Sequence, residues 1–255
     1  MAITDTHTHL YLKEFDSDRE QVINHAINSN VSRLFLPAID SSYTKSMLDL
    51  RNKFPNNIFI MTGLHPCYIK ENYLEEIKHV EENINNNCCV AVGEIGIDMY
   101  WRKDNLLLQK EVFSLQIRLA KKYNLPLVIH SRDSYNEIFE VLDAEGTENL
   151  SGIFHCFTGN LSDARKIISM GMKLGIGGVV TFKNGGIDKF LNKIELTNIV
   201  LETDSPYLAP HPNRGKRNES AFIINVAQKL SEIYKTSVDD IINITTNNSI
   251  DVFKI

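Results

Sequence analysis

Eight short apolar segments rich in β-branched residues, separated by stretches of helical periodicity, most constrain how this chain can fold. They lie near Ile3 and at RLFLPA (33–38), IFIMTGLH (58–65), CVAVGE (89–94), LPLVIH (125–130), GIFHCF (152–157), KLGIGG (173–178) and IVLETD (199–204). Between them, helical spacing relates Leu108, Val112, Leu115 and Leu119, and Ile167, Ile168 and Met170 precede a stop at Gly171. Uninterrupted apolar runs suit strands buried on both faces, as a parallel sheet requires. Strands and helices alternating in this way over 255 residues point to an α/β chain folded as a (β/α)8 TIM barrel, with an open doubly wound sheet as the main alternative. At 43% hydrophobic composition the chain can bury a sizeable core as one unit, residues 1–255. Past the eighth segment, Asn218 followed by Glu219, and Ser237-Val238-Asp239-Asp240, carry helix-start patterns for closing helices. The Asn-rich NINNN (83–87) is a polar loop or helix end with no assigned role.

Charge and cysteine usage narrow the function classes. The longest apolar runs fall well short of the roughly 20 residues a membrane span needs, and no basic region followed by an apolar stretch stands at the start. A cytoplasmic protein with no membrane partner is expected. Cys67, Cys88, Cys89 and Cys156 form no CxxC pair, which fits reduced thiols. A net charge of -5 argues against a protein that coats duplex DNA, so any nucleic-acid contact should be confined to a site.

On this frame His7 and His9 end the first strand, Glu94 the fourth, His130 the fifth, His155 the sixth and Asp204 the eighth. In a barrel those ends converge on the face where active sites are built. Residues two apart on a strand project to one side, so His7 and His9 can grip one ion together. Four histidines with Glu94 and Asp204 exceed the three protein ligands of a usual mononuclear catalytic zinc site, and carboxylates can bridge. Two divalent metal ions are therefore expected, with Mg²⁺, Mn²⁺ and Zn²⁺ all compatible with mixed His and carboxylate donors. Such a pair supports hydrolysis by an activated water, with Asp204 as candidate base. Glu202, two before Asp204, sits deeper in the strand and ranks below it, while His25 and His79 lie in polar helical stretches and should be solvated.

Positive residues follow the same strands: Arg102 the fourth, Arg132 the fifth, Lys183 the seventh, and Arg214, Lys216 and Arg217 the eighth. Arginine forks match phosphate oxygens, so this cluster on an acidic protein suits a phosphorylated substrate or a nucleic-acid strand end. His65, in GLHP, is a candidate phosphate contact. Tyr100, Trp101, Phe182 and Tyr207 lie in the same loops, where they could stack on bases or cap the core.

Motifs in order along nearly the whole chain carry a resemblance: DTHTHL (5–10), GLHP (63–66), VGEIGID (92–98), VIHSRD (128–133), FHCFTG (154–159), LETDSPYLAPHPNRGKRNE (201–219) and TTNNSIDVF (245–253). The chain resembles the TatD family of metal-dependent deoxyribonucleases, within the amidohydrolase-like barrels. The resemblance implies a (β/α)8 barrel and a divalent-metal nuclease that removes nucleotides from DNA ends. By matching motif positions it implies His7, His9, Glu94, His130, His155 and Asp204 as the metal site, with Glu94 bridging where many amidohydrolase relatives use a modified lysine. Two positions depart from the pattern: Cys67 stands where many relatives carry a second histidine, and Ser220 replaces a usual proline. The leading expectation is a 3′-5′ exonuclease acting on single-stranded DNA or nucleic-acid ends, with Asp204 and Glu94 catalytic and His65, Arg102, Arg132, Arg214 and Arg217 binding substrate. The alternative is a metal-dependent ester or amide hydrolase such as an aminoacyl-tRNA deacylase. A catalytically silent interaction protein would have lost ligands, and none is lost.

Overall fold

A computed structural model describes residues 2–255; Met1, the first residue of the expected 1–255 unit, lies outside the described residues. The elements run β1 (Ile3–Asp5), α1 (Arg19–Asn28), β2 (Val31–Leu36), α2 (Thr44–Lys53), β3 (Ile58–Ile60), α3 (Tyr73–Asn85), β4 (Val92–Asp98) and α4 (Leu106–Tyr123). They continue with β5 (Leu127–Arg132), α5 (Tyr135–Glu145), β6 (Gly152–Phe154), α6 (Leu161–Ser169), β7 (Met172–Ile176), β8 (Ile199–Leu201), α7 (Ile223–Tyr234) and α8 (Val238–Phe253).

All strand pairings are parallel and every strand lies beside its sequence neighbours, in ladders β1-β2-β3 and β4-β5-β6-β7-β8. Single bridges join the two ladders, Thr62 to Val92 on one side and Thr8 to Ser205 on the other. Main-chain bonds reinforce both seams, including Gly93 N–H to the Thr62 carbonyl at 2.8 Å and His9 N–H to the Ser205 carbonyl at 2.8 Å. An open doubly wound sheet would reverse its strand order and leave β1 and β8 apart. The bridged β8–β1 seam gives the barrel instead, although its ladder is not continuous around the ring.

Period-two alternation divides the apolar residues. Phe35, Val128, Ile153 and Val200 point inward and form one cluster with Met61, Ala91, Val252 and Phe253. Their strand neighbours Leu34, Leu36, Leu127, Ile129, Phe154, Ile199 and Leu201 belong to the larger core beneath the helices. Phe253 of α8 stacks on Phe35 with ring centroids 4.0 Å apart. Asn248 of α8 donates to the carbonyls of Leu196, ahead of β8, and Ile199, its first residue, so this helix covers the N-terminal end of the barrel.

Some expectations need correction. No α-helix follows β7: residues 177–198 carry four glycines and form short 3-10 turns, because glycine loses too much chain freedom to sustain a helix. Ser237 caps α8, its hydroxyl accepting from Asp240 N–H. Asn218 caps nothing: it is buried, and its amide donates to the carbonyls of Thr203 and Tyr207, tying down the loop after β8. Among the described residues no helix is long and apolar enough to cross a membrane. The four cysteines are free thiols.

Candidate metal centre

The expected donors converge at the C-terminal end of the barrel, although several stand differently from the sequence expectation. β1 stops at Asp5, so His7 and His9 lie in the bridged segment beyond it. Glu94 is the third residue of β4 rather than its last, because the strand runs on to Asp98. The β4–β5 register slips between Gly93 and Ile95, leaving Glu94 without a partner on β5. Its N–H donates to the Ala38 carbonyl instead. An unpaired residue of this kind re-aims its side chain, here into the barrel mouth. Gly96, at φ +135, lets β5 close in: a Cβ there would stand 2.1 Å from the His130 carbonyl oxygen.

Glu94 lies between two groups of donors. Its Oε2 is 3.3 Å from His7 Nε2 and 3.6 Å from His9 Nε2. Asp204 Oδ1 completes that group, 3.8 Å from His7 Nε2 and 3.4 Å from His9 Nε2, and the two imidazole nitrogens are 3.2 Å apart. A tetrahedral ion with bonds of 2.0–2.1 Å places its ligand atoms about 3.3–3.4 Å from one another, so these separations suit one shared cation. The other oxygen, Oε1, is 2.8 Å from His155 Nε2, 2.9 Å from His130 Nδ1 and 3.3 Å from His65 Nε2.

Hydrogen bonds behind the imidazoles fix which nitrogen faces inward. Tyr11 donates its hydroxyl proton to the Pro37 carbonyl at 2.7 Å, so it can only accept from His9 Nδ1 at 2.8 Å. His9 therefore turns an unprotonated Nε2 to the site when neutral. Asp98 Oδ2 accepts from His130 Nε2 at 2.9 Å, which frees His130 Nδ1 in the same way. His65 is held oppositely: its Nδ1 accepts from Cys67 N–H at 3.0 Å, so the proton of the neutral ring sits on Nε2 and points into the site as a donor.

Burial and charge act together here. Burial alone would raise Glu94, but the imidazoles of His155, His65 and His7 hold its carboxyl well below the usual range. Asp204 is lowered against its own burial by the hydrogen bond from His9 and the charges of His155 and His7. Burial is the main reason His7 and His65 are depressed. For His155 burial opposes the charge, yet Glu94 and Glu202 raise it well above the ordinary imidazole range. A proton there balances Glu94, so cation binding must be coupled to its release.

The donors open into a cavity of about 770 Å³. Arg102 and Arg132 line it with Tyr68, Trp101 and Tyr207. The Arg132 guanidinium lies 4.5 Å over the Tyr100 ring, and Arg102 donates to the Cys67 carbonyl. Two expected substrate contacts, Arg214 and Arg217, are not among the residues that line the cavity. Arg217 forks onto both oxygens of Asp18 at 2.8 and 2.7 Å and reaches Glu219 at 3.0 Å, which commits its donors elsewhere. Arg214 stacks on Phe182 at 3.7 Å.

Sequence reasoning missed three side chains. Asp98 accepts from Tyr100 and Trp101 N–H as well as His130, and these bonds overcome its burial to hold its carboxyl down at about 2. Its signal was the acidic residue two turns of the pleat beyond Glu94 in VGEIGID. Tyr11 stands two after His9 in the turn closed by Leu12 N–H on the His9 carbonyl. Asp5 is wholly buried and accepts from Thr203 N–H at 2.9 Å and the Thr203 hydroxyl at 2.6 Å, latching β1 to the segment carrying Asp204.

Comparison with known proteins bears on this arrangement. A family profile described as TatD related DNase matches residues 4–254. The chain is 37% identical over 252 residues to YabD of Bacillus subtilis (strain 168), described as an uncharacterized metal-dependent hydrolase, covering 98% of each. YcfH of Escherichia coli (strain K12), described in the same words, is 30% identical over 262 residues, covering 100% of this chain and 97% of its own length. Among solved structures, the TatD homolog YjjV of Escherichia coli superposes with a TM-score of 0.93 at 25% identity, covering 99% of this chain and 98% of that one.

Proposed function

This chain belongs to the TatD related DNase family and is a metal-dependent hydrolase, and from that premise we propose that it shortens single-stranded DNA from the 3′ end by hydrolysing phosphodiester bonds with two divalent ions. The observation that carries the two-ion reading is Glu94, whose two oxygens each face a separate donor group. His7, His9, Asp204 and Glu94 Oε2 would hold one ion; His130, His155 and Glu94 Oε1 would hold the other. Such ions supply a nucleophilic water at neutral pH and Lewis acidity toward phosphoryl oxygens.

The chain's own groups supply the rest. Asp204, ionised and on the cavity wall, accepts the proton of the attacking water. His65 offers Nε2–H to a phosphate oxygen, and Arg102 and Arg132 bind the phosphates of the strand. Trp101 and Tyr207, 68% and 49% exposed at the cavity, provide faces for bases. The apolar layer around Phe35 closes the floor, which favours a strand end over a continuous strand. The 3′ polarity is carried over from the family resemblance.

The test is digestion of 3′-labelled and 5′-labelled single-stranded oligonucleotides with EDTA, Mg²⁺, Mn²⁺ or Zn²⁺, beside the His7→Ala/His9→Ala variant. Stepwise, metal-dependent loss from the 3′ end that vanishes in the variant is expected. No cleavage with any metal, together with metal-dependent release of amino acid from aminoacyl-tRNA, would overturn the nuclease reading in favour of ester hydrolysis.

A further inference from the structure

Two of the ligand-group imidazoles are backed by a hydrogen-bond partner that settles their tautomer, His9 by Tyr11 and His130 by Asp98. The Nδ1 atoms of His7 and His155 are both buried without a partner, and that of His155 has a carboxylate near it. Behind His155 lies Glu202, fully buried, with Oε1 3.7 Å from that nitrogen. Oε1 accepts from Cys156 N–H at 2.6 Å, while Oε2 has no partner at all. Oε1 is thus the acceptor nearest the orphan Nδ1 as well as the partner of Cys156.

The fold makes room for this group. Val200, Glu202 and Asp204 alternate along β8 and the segment beyond it, which sets Glu202 between the apolar floor and the donor cluster. The carboxylate lies over Gly175 of β7, where a Cβ would stand 2.2 Å from Glu202 Oε2 and 3.0 Å from His155 Cα. An absent side chain on β7 thus houses the carboxylate.

We propose that Glu202 is the positioning residue of His155: it holds the proton on Nδ1 and so presents Nε2 as the donor atom of the metal site. The inference rests on the two-ion reading of the site. A carboxylate behind a ligating imidazole fixes its tautomer and raises its basicity, and losing one typically costs 10–100-fold in metal affinity. In Glu202→Gln the amide oxygen stays on Cys156 N–H at the Oε1 position, so Nδ1 faces a neutral acceptor in place of a carboxylate. That weakens the preference for Nδ1–H and lets Nε2–H turn toward Glu94.

Three measurements test it. Nitrogen-15 NMR of the histidine side chains in wild-type, Zn²⁺-loaded protein should show His155 protonated at Nδ1, and the Glu202→Gln spectrum should show that signal lost or exchanged. Competition of Zn²⁺ against a chelator should show one of two ions bound about 10–100-fold more weakly in Glu202→Gln, with the other unchanged. Gly175→Ala, which displaces the carboxylate without removing its charge, should weaken the same ion. A purely structural role would lower thermal stability without moving the His155 tautomer. Unprotonated Nδ1 in the loaded wild type, or wild-type affinity for both ions in Glu202→Gln, would overturn the inference while leaving the metal site intact. Absence of Zn²⁺ binding by the wild type would instead remove the reading on which it rests.

Discussion

Asp5→Asn probes the latch that closes the barrel beside the metal centre. The carboxyl of Asp5 is pushed up from 3.8 to about 7, chiefly by burial, which the bonds from Thr203 and His7 offset only in part. Its folded value exceeds its unfolded one, so its stabilisation is complete below the unfolded value and is lost as pH rises through about 7. Between pH 5 and 8 the unfolded chain is already ionised, and stability falls by about 1.4 kcal/mol per unit until the folded carboxyl ionises, about 3 kcal/mol in all. Asparagine keeps an acceptor for Thr203 N–H and carries no charge at any pH. In EDTA, the melting temperature of the wild type relative to Asp5→Asn should therefore drop by about 5–10 °C from pH 5 to pH 8. The site histidines titrate in both proteins and cancel in the difference. Loading with divalent ions favours the ionised carboxyl and should move the drop to lower pH. Parallel melting curves for the two metal-free proteins would refute the reasoning.

Other perturbations separate the parts of the molecule. Glu94→Gln offers one oxygen and an amide nitrogen with no lone pair to give, so tightly bound metal measured by mass spectrometry after gel filtration should fall from two ions per chain to one; two ions at unchanged affinity would exclude bridging. Phe253→Ala removes the ring stacked on Phe35 at the far end of the barrel. It should cost about 3–5 kcal/mol in denaturant unfolding while metal affinity stays at the wild-type value. Trp101→Ala should raise KM for single-stranded DNA about fivefold to a hundredfold, the equivalent of about 1–3 kcal/mol of stacking. Affinity for the metal ions, which needs no stacking, should not change.

What the sequence made legible follows from periodicity. Strand alternation and strand-end placement brought His7, His9, Glu94, His130, His155 and Asp204 to one face because both are local properties of the chain. The residues behind them depend on neighbouring strands. Asp98 escaped notice because the slip at Glu94 lets β4 run to 98 instead of stopping at 94, and a register slip is a property of a strand pair. Arg217 turns its fork to Asp18, 199 residues away, a pairing that no local pattern announces. Glu202 was ranked low for its depth, yet depth is what sets it behind His155. The empty position at Gly175, on a different strand, is what allows a carboxylate there at all. Donor atoms can therefore be found along the chain, whereas the groups that aim them are found only across it. In a barrel, where each strand contributes one or two inward residues, the tautomers of His9 and His130 are decided by Tyr11 and Asp98, and on the inference above that of His155 by Glu202, side chains that the ligand spacing alone does not single out.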